Sequence, residues 1–192
     1  MAKGKEKLAQ DLAILEAMAS EMEDYLKSDV LFWRMMKGSM PMLTLGGYLL
    51  REHRLLALQR LLDESEQARL DAAVTQFNQA LVERIVRFEQ KGHQELEARL
   101  RQWSEYLRDL EGSSKAAAVN YETAAETRTM IAALIDRLQM APYRLESRIE
   151  EQVDLLDRKL RRRWQPGDFI WPDEWQPAYP EMEYWWLYGH PK

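Results

Sequence analysis

Proton transfer and metal binding both call for a histidine among carboxylates, and this chain offers three histidines, His53, His93 and His190. His93 has Glu89 and Glu97 one helical turn to either side. A carboxylate-bridged di-iron bundle needs two Glu-x-x-His pairs on facing helices, and none of the three histidines closes that motif. The trio reads as an exposed helix face, so no metal and no cofactor is expected. Glu52 and His53 sit side by side in an apolar helical stretch, between Arg51 and Arg54. An acid beside a histidine serves general acid–base chemistry. The commoner use is a buried pair that satisfies neighbouring charges. No nucleophile motif, phosphate-cradling glycine loop or dinucleotide fingerprint accompanies it. The chain has no cysteine, which removes thiolate zinc sites, disulfides and a cysteine nucleophile.

Two aromatic stretches bear on binding. After Gln165 lie five of the seven prolines and four of the seven tryptophans, Trp171, Trp175, Trp185 and Trp186. Aromatic faces of this kind bind sugars or cations, and proline-rich segments bind partner proteins. The plainer reading is an arm laid in a groove of a helical body, either its own or that of a second subunit. The other stretch, Phe32 to Leu50, carries Trp33, Met35, Met36, Met40 and Met42. Methionine adapts to irregular shapes, so this segment could line a pocket for an apolar or aromatic ligand. Trp33, Glu52, His53, Trp171, Trp175, Trp185 and Trp186 are therefore the candidate ligand or interaction residues. No catalytic residue is assigned.

The elements that must position these groups are helical. From Asp63 to Glu111 there is no proline and one glycine, Gly92. Leu70, Val74, Phe77, Leu81, Ile85, Phe88, Leu96, Leu100, Trp103, Leu107 and Leu110 step by threes and fours along most of it. That is the period of one helix face. Rows of eleven, such as Val74, Ile85, Leu96, Leu107, predict a nearly straight seam. One very long helix over 63–111, continuous through Gly92, is the expectation. Before it, Leu8, Leu12, Leu15, Ala19, Met22 and Leu26 mark a first helix over about 5–27. Val30 to Met36 reads as a short buried segment, and 43–62 as a further helix with Gly46-Gly47 near its start. After Gly112, Ser113 and Ser114 would cap a helix over 115–139. Pro142 would then start or kink the last helix, which ends near Trp164.

Composition bounds the class. With 46% apolar and 31% charged residues the chain is too apolar for disorder. The basic run Arg158-Lys159 and Arg161-Arg162-Arg163 suits a helix C-terminus. The residues after Trp164 then carry −4 of the net −5, as Asp168, Asp173, Glu174, Glu181 and Glu183 against Lys192. A near-neutral body with an acidic tail argues against nucleic-acid binding. The longest nearly uncharged apolar run, Gly38 to Leu50, is too short to span a bilayer. The N-terminus has the positive charge of a signal peptide without its apolar core. A cytoplasmic setting with no membrane is expected.

The expected fold is all-α: an elongated antiparallel helical bundle over 1–164, with an extended Trp/Pro/Tyr-rich C-terminal arm over 165–192. The expected function is that of a non-enzymatic interaction or scaffold protein. It would self-associate, coiled-coil fashion, through its helices and arm. A seam as long as 63–111 needs more cover than the shorter helices supply, so a homo-oligomer is expected. The alternative is a binder of a small apolar or aromatic ligand between residues 32–50 and the arm.

Overall fold

The structure is a computed structural model that describes residues 2–112 and 120–192. Among these the chain is mostly α-helical, with one small two-stranded sheet. It divides into two compact units, Met1–Glu95 and Leu96–Lys192. No described helix is long and apolar enough to cross a membrane.

In the first unit, helix α1 (Ala2–Lys27) packs on α2 (Leu45–Ala57) and α3 (Glu64–Val82). The stripe Leu8, Leu12, Leu15, Ala19, Met22, Leu26 is buried, together with Met18 and Tyr25. Thr44 caps α2 by accepting from the Gly47 amide at 2.9 Å. A 3₁₀ turn, Gln59–Leu61, leads to α3. Asp63 and Glu66 close a reciprocal capping box at its start, with both bonds at 2.9 Å. Tyr48 stacks on Phe77 with ring centroids 3.9 Å apart, and Phe88 meets Phe77 edge-on at 6.2 Å.

The stretch 63–111 is two helices rather than one: α3 ends at Val82 and α4 (Ile85–Gly112) follows a turn at Glu83–Arg84. The Arg84 amide donates to the Leu81 carbonyl three residues back, at 2.9 Å, which tightens the backbone there. Ile85 is 38% exposed and Val86 67%. The apolar seam thus passes from Leu81 to Phe88 without Ile85. β-Branched residues with no packing partner hold a helix weakly, and the break falls among them. At Gly92 the expectation holds, since α4 runs unbroken through that buried position. Val30 to Met36 also departs from its reading. It is a loop in which only Met35 is buried.

In the second unit, α4 continues from Leu96 and buries Leu96, Leu100, Trp103, Leu107 and Leu110. Helix α5 (Tyr121–Gln139) buries Tyr121, Ala125, Ile131, Leu134 and Leu138. Helix α6 (Ser147–Arg161) buries Ile149, Val153, Leu156 and Leu160. Pro142 neither starts nor kinks a helix; it lies in the turn between α5 and α6. The proposed caps Ser113 and Ser114, and a helix start at Lys115, fall outside the described residues.

The arm is folded back on itself, not extended throughout. Strand β1 (Trp164–Phe169) pairs antiparallel with β2 (Tyr188–Pro191), Trp164 opposite Pro191 and Gln165 opposite His190. Pro166 is tolerated because the sheet is only two strands wide and has free edges. Gly189 has φ +140°, and a Cβ there would lie 2.2 Å from the Gln165 carbonyl oxygen. Two 3₁₀ turns, Asp173–Ala178 and Trp185–Leu187, fill the space between the strands. The aromatics close the arm because leaving so many large apolar groups in water is unfavourable.

Candidate functional site

The candidates fall in both units: Trp33, Glu52 and His53 in the first, Trp171, Trp175, Trp185 and Trp186 in the second. Trp33 is an anchor of the α1–α2 loop. Its indole N–H donates to Glu21 Oε2 at 2.8 Å, its ring stands edge-on to Tyr25 at 6.4 Å, and its backbone bridges to Leu43. Glu52 is buried in α2 and His53 half-buried. Around them lies a polar network that reading the sequence missed. Asp11 of α1 accepts from Arg54 Nη1 at 2.5 Å and lies 3.3 Å from Arg51 Nε. Arg51 also donates to the Gly47 carbonyl at 2.8 Å. Glu95, fully buried, takes the Gly46 amide at 3.1 Å on each carboxylate oxygen. A carboxylate at a helix N-terminus meets both free amides and the positive end of the dipole. Gly46 is where the backbone of α2 takes that carboxylate. Removing one partner of such a buried pair would leave the other charge uncompensated.

His93 does not gather a metal site. Its Nδ1 lies 2.9 Å from the Glu89 carbonyl, and Glu97 is ion-paired with Arg148 at 2.7 Å. Among the described residues no group of three or more His, Cys, Asp or Glu could hold a metal ion.

Trp185 and Trp186 hold the arm to its own helices, and Trp171 and Trp175 pack within the arm. Trp186 is gripped from three sides by α5. Its carbonyl accepts from the Tyr121 hydroxyl, its indole N–H donates to Thr129 Oγ1 at 3.0 Å, and the Arg128 guanidinium lies 3.9 Å from its ring centroid. Arg128 is held in turn by a fork onto Asp157 of α6, with both bonds at 2.9 Å. Trp185 carries the Arg161 guanidinium on its face at 3.8 Å. A cationic ligand would need these faces, and the protein's own arginines occupy them. Trp171 and Trp175 are buried against each other at 6.1 Å, with Trp171 also edge-on to Tyr179 at 4.9 Å. The basic run does not hold the arm through carboxylates. Arg163 donates to the Leu110 carbonyl at 3.1 Å, and its own carbonyl accepts from the Lys192 amide at 2.8 Å. Burial pushes the phenols of Tyr121 and Tyr184 far above their ordinary range and that of Tyr106 up to about 12. These tyrosines stay neutral and serve packing.

The feature left to solvent is on α3. Residues Ala72 to Val82 carry no charge, whereas eleven residues at the chain's 31% charged composition carry about three. The buried face of this stretch is Ala73, Phe77, Ala80 and Leu81. Ala72, Thr75, Gln79 and Val82 form an exposed stripe that continues to Val86. Val82 is 74% exposed. Thr75, Asn78, Gln79, Val82 and Glu83 line a shallow groove of about 420 Å³ there. The signal was legible as a gap in the charge pattern, but apolar periodicity alone passes over it.

The fold and these sites define a mostly helical protein in which Trp33, Trp185 and Trp186 hold the chain's own elements together. Compared with protein-family models, with curated proteins and with solved structures, the chain matches none.

Proposed function

We propose that this is a non-enzymatic interaction protein that self-associates through the uncharged exposed face of α3. The observation that carries the reading is the charge-free run Ala72–Val82, which faces solvent through Ala72, Thr75, Gln79 and Val82. Depletion of charge is what distinguishes the core of an interface from ordinary surface. The occupant is a second copy, related by a twofold axis across α3, so that each Val82 enters the groove of the other chain. Asn78 and Gln79 supply amides that bond across such a contact, and Glu83 at the end of the groove is the one charge on its lining. In the same unit the buried acids Asp11 and Glu95 each hold a structural partner, which favours a binding role over acid–base chemistry.

Sedimentation equilibrium at low micromolar concentration tests this. The chain should sediment at twice its 22.7 kDa mass. The variant Thr75→Glu/Val82→Glu, altered only at exposed positions, should run as the monomer with an unchanged helical circular dichroism spectrum. A wild-type monomer, or a variant that keeps the dimer mass, rejects the reading.

A further inference from the structure

The loop Ser28–Thr44 joins α1 to α2 without helix or regular strand. Long irregular connections inside a compact unit are uncommon unless they serve a function. This one is tied down along its length. The Tyr25 hydroxyl donates to the Leu31 carbonyl at 3.0 Å, and Lys91 Nζ to the Val30 carbonyl at 2.6 Å. Arg87 reaches the Ser28 carbonyl at 2.7 Å. Glu21 takes both the Trp33 indole at 2.8 Å and the Met36 amide at 3.0 Å. Trp33 and Leu43 exchange backbone bonds at 3.0 and 2.8 Å.

Such a fixed loop nonetheless holds Met36 at 92% exposure, Met42 at 56% and Val30 at 49%. Beyond Asp29, which pairs with Arg87 at 2.8 Å, its charges are positive. Arg34 and Lys37 are exposed, neither has an ion pair among the described residues, and no acidic residue occurs between Val30 and Arg51. Glu21 of α1, the acid that reaches the loop from outside it, is engaged as described.

We infer that this loop is a docking surface for an acidic amphipathic segment of another protein. Its apolar side chains would lie on Met36, Met42 and Val30, and its carboxylates would meet Arg34 and Lys37. Methionine suits a surface that adapts to its partner, and a loop already fixed by hydrogen bonds loses little freedom on binding. The charges set the sign of the partner. A lipid surface is the poorer fit. Two cations attract an anionic leaflet weakly. The aromatic groups that would anchor in it are turned inward, with Trp33 half-buried and its N–H spent on Glu21.

The test uses the full chain and fluorescence anisotropy with a labelled synthetic helical peptide of leucine and glutamate. The controls are the same peptide with lysine for glutamate and vesicles of phosphatidylglycerol and phosphatidylcholine. The leucine–glutamate peptide should bind and the lysine form should not. Arg34→Glu/Lys37→Glu should weaken Kd by about tenfold, and Met36→Ser/Met42→Ser by a similar factor. All four positions are exposed, and an unchanged circular dichroism spectrum certifies the fold. The inference is overturned if the leucine–glutamate peptide fails to bind, if both peptides bind alike, if charge reversal leaves Kd unchanged, or if only the vesicles bind.

Discussion

Trp186 shows how one side chain ties three elements together. Its carbonyl and indole N–H are satisfied by Tyr121 and Thr129 of α5, and Asp157 of α6 fixes the arginine on its ring. Aromatic burial and a fixed cation reinforce each other, because a desolvated guanidinium on a tryptophan face is worth about 2 kcal/mol where an exposed one is worth less than 1. Trp186→Ala removes the packing and leaves Arg128 over a void. It should cost about 3–5 kcal/mol. Thr129→Val strands the indole N–H and removes the hydroxyl's own bond to the Ala125 carbonyl, and should cost about 1–3 kcal/mol. Urea unfolding curves that rank the two variants in the opposite order would show that the hydroxyl contact, not the ring, holds the arm.

At the level of elements, the β1–β2 pair turns a proline-rich tail into a closed structure. Gly189 is the position on which the pair depends. Its φ of +140° lies in a region that L side chains rarely adopt, and a Cβ would come within 3.0 Å of both the Gly167 amide nitrogen and Pro166 Cα. Gly189→Ala should therefore open the pair and lower the melting temperature. Gly38→Ala, where an added Cβ meets nothing within 4 Å, is the control and should leave it unchanged. A scanning calorimetry experiment in which both variants melt with the wild type would mean that the strand pairing contributes nothing to stability. The turn at Glu83–Arg84 is the other decisive element. It lets Leu81 and Phe88 be buried while Val82 and Val86 face outward, and the outward residues extend the uncharged stripe of α3.

For the molecule as a whole, the arm is a part of the second unit and not an appendage to it. Phe169, Trp171, Trp175, Tyr179, Tyr184, Trp186 and Leu187 are all buried, with Trp186 held by α5 and Trp185 under Arg161 of α6. Truncation after Gln165 would expose Tyr121 and Thr129 and uncover the Arg128–Asp157 pair. The shortened chain should melt lower and aggregate. High salt should not release the arm of the intact chain, because its contacts are apolar, aromatic and backbone rather than carboxylate pairs. Limited proteolysis in 1 M sodium chloride checks the second point: rapid cleavage between Phe169 and Tyr184 would contradict it.

Much of the fold was legible in the residues themselves. The stripes of α1, α4 and α6, the helix start at Asp63 and the abrupt change of composition at Gln165 are local patterns. Helix period and turn chemistry act over a few residues, and one sequence suffices to read them. What required the tertiary structure was every choice between equally apolar partners. Periodicity placed Ile85 on the seam, but the chain turns at Glu83–Arg84 and leaves Ile85 38% exposed. The run Val30 to Met36 looked like core because hydrophobicity is a property of the residue and burial a property of its neighbours. The partners of Asp11 lie forty and more positions away at Arg51 and Arg54, and Gly46 meets Glu95 at a similar distance along the chain. No local pattern encodes such pairs; only the packing of helices brings them together.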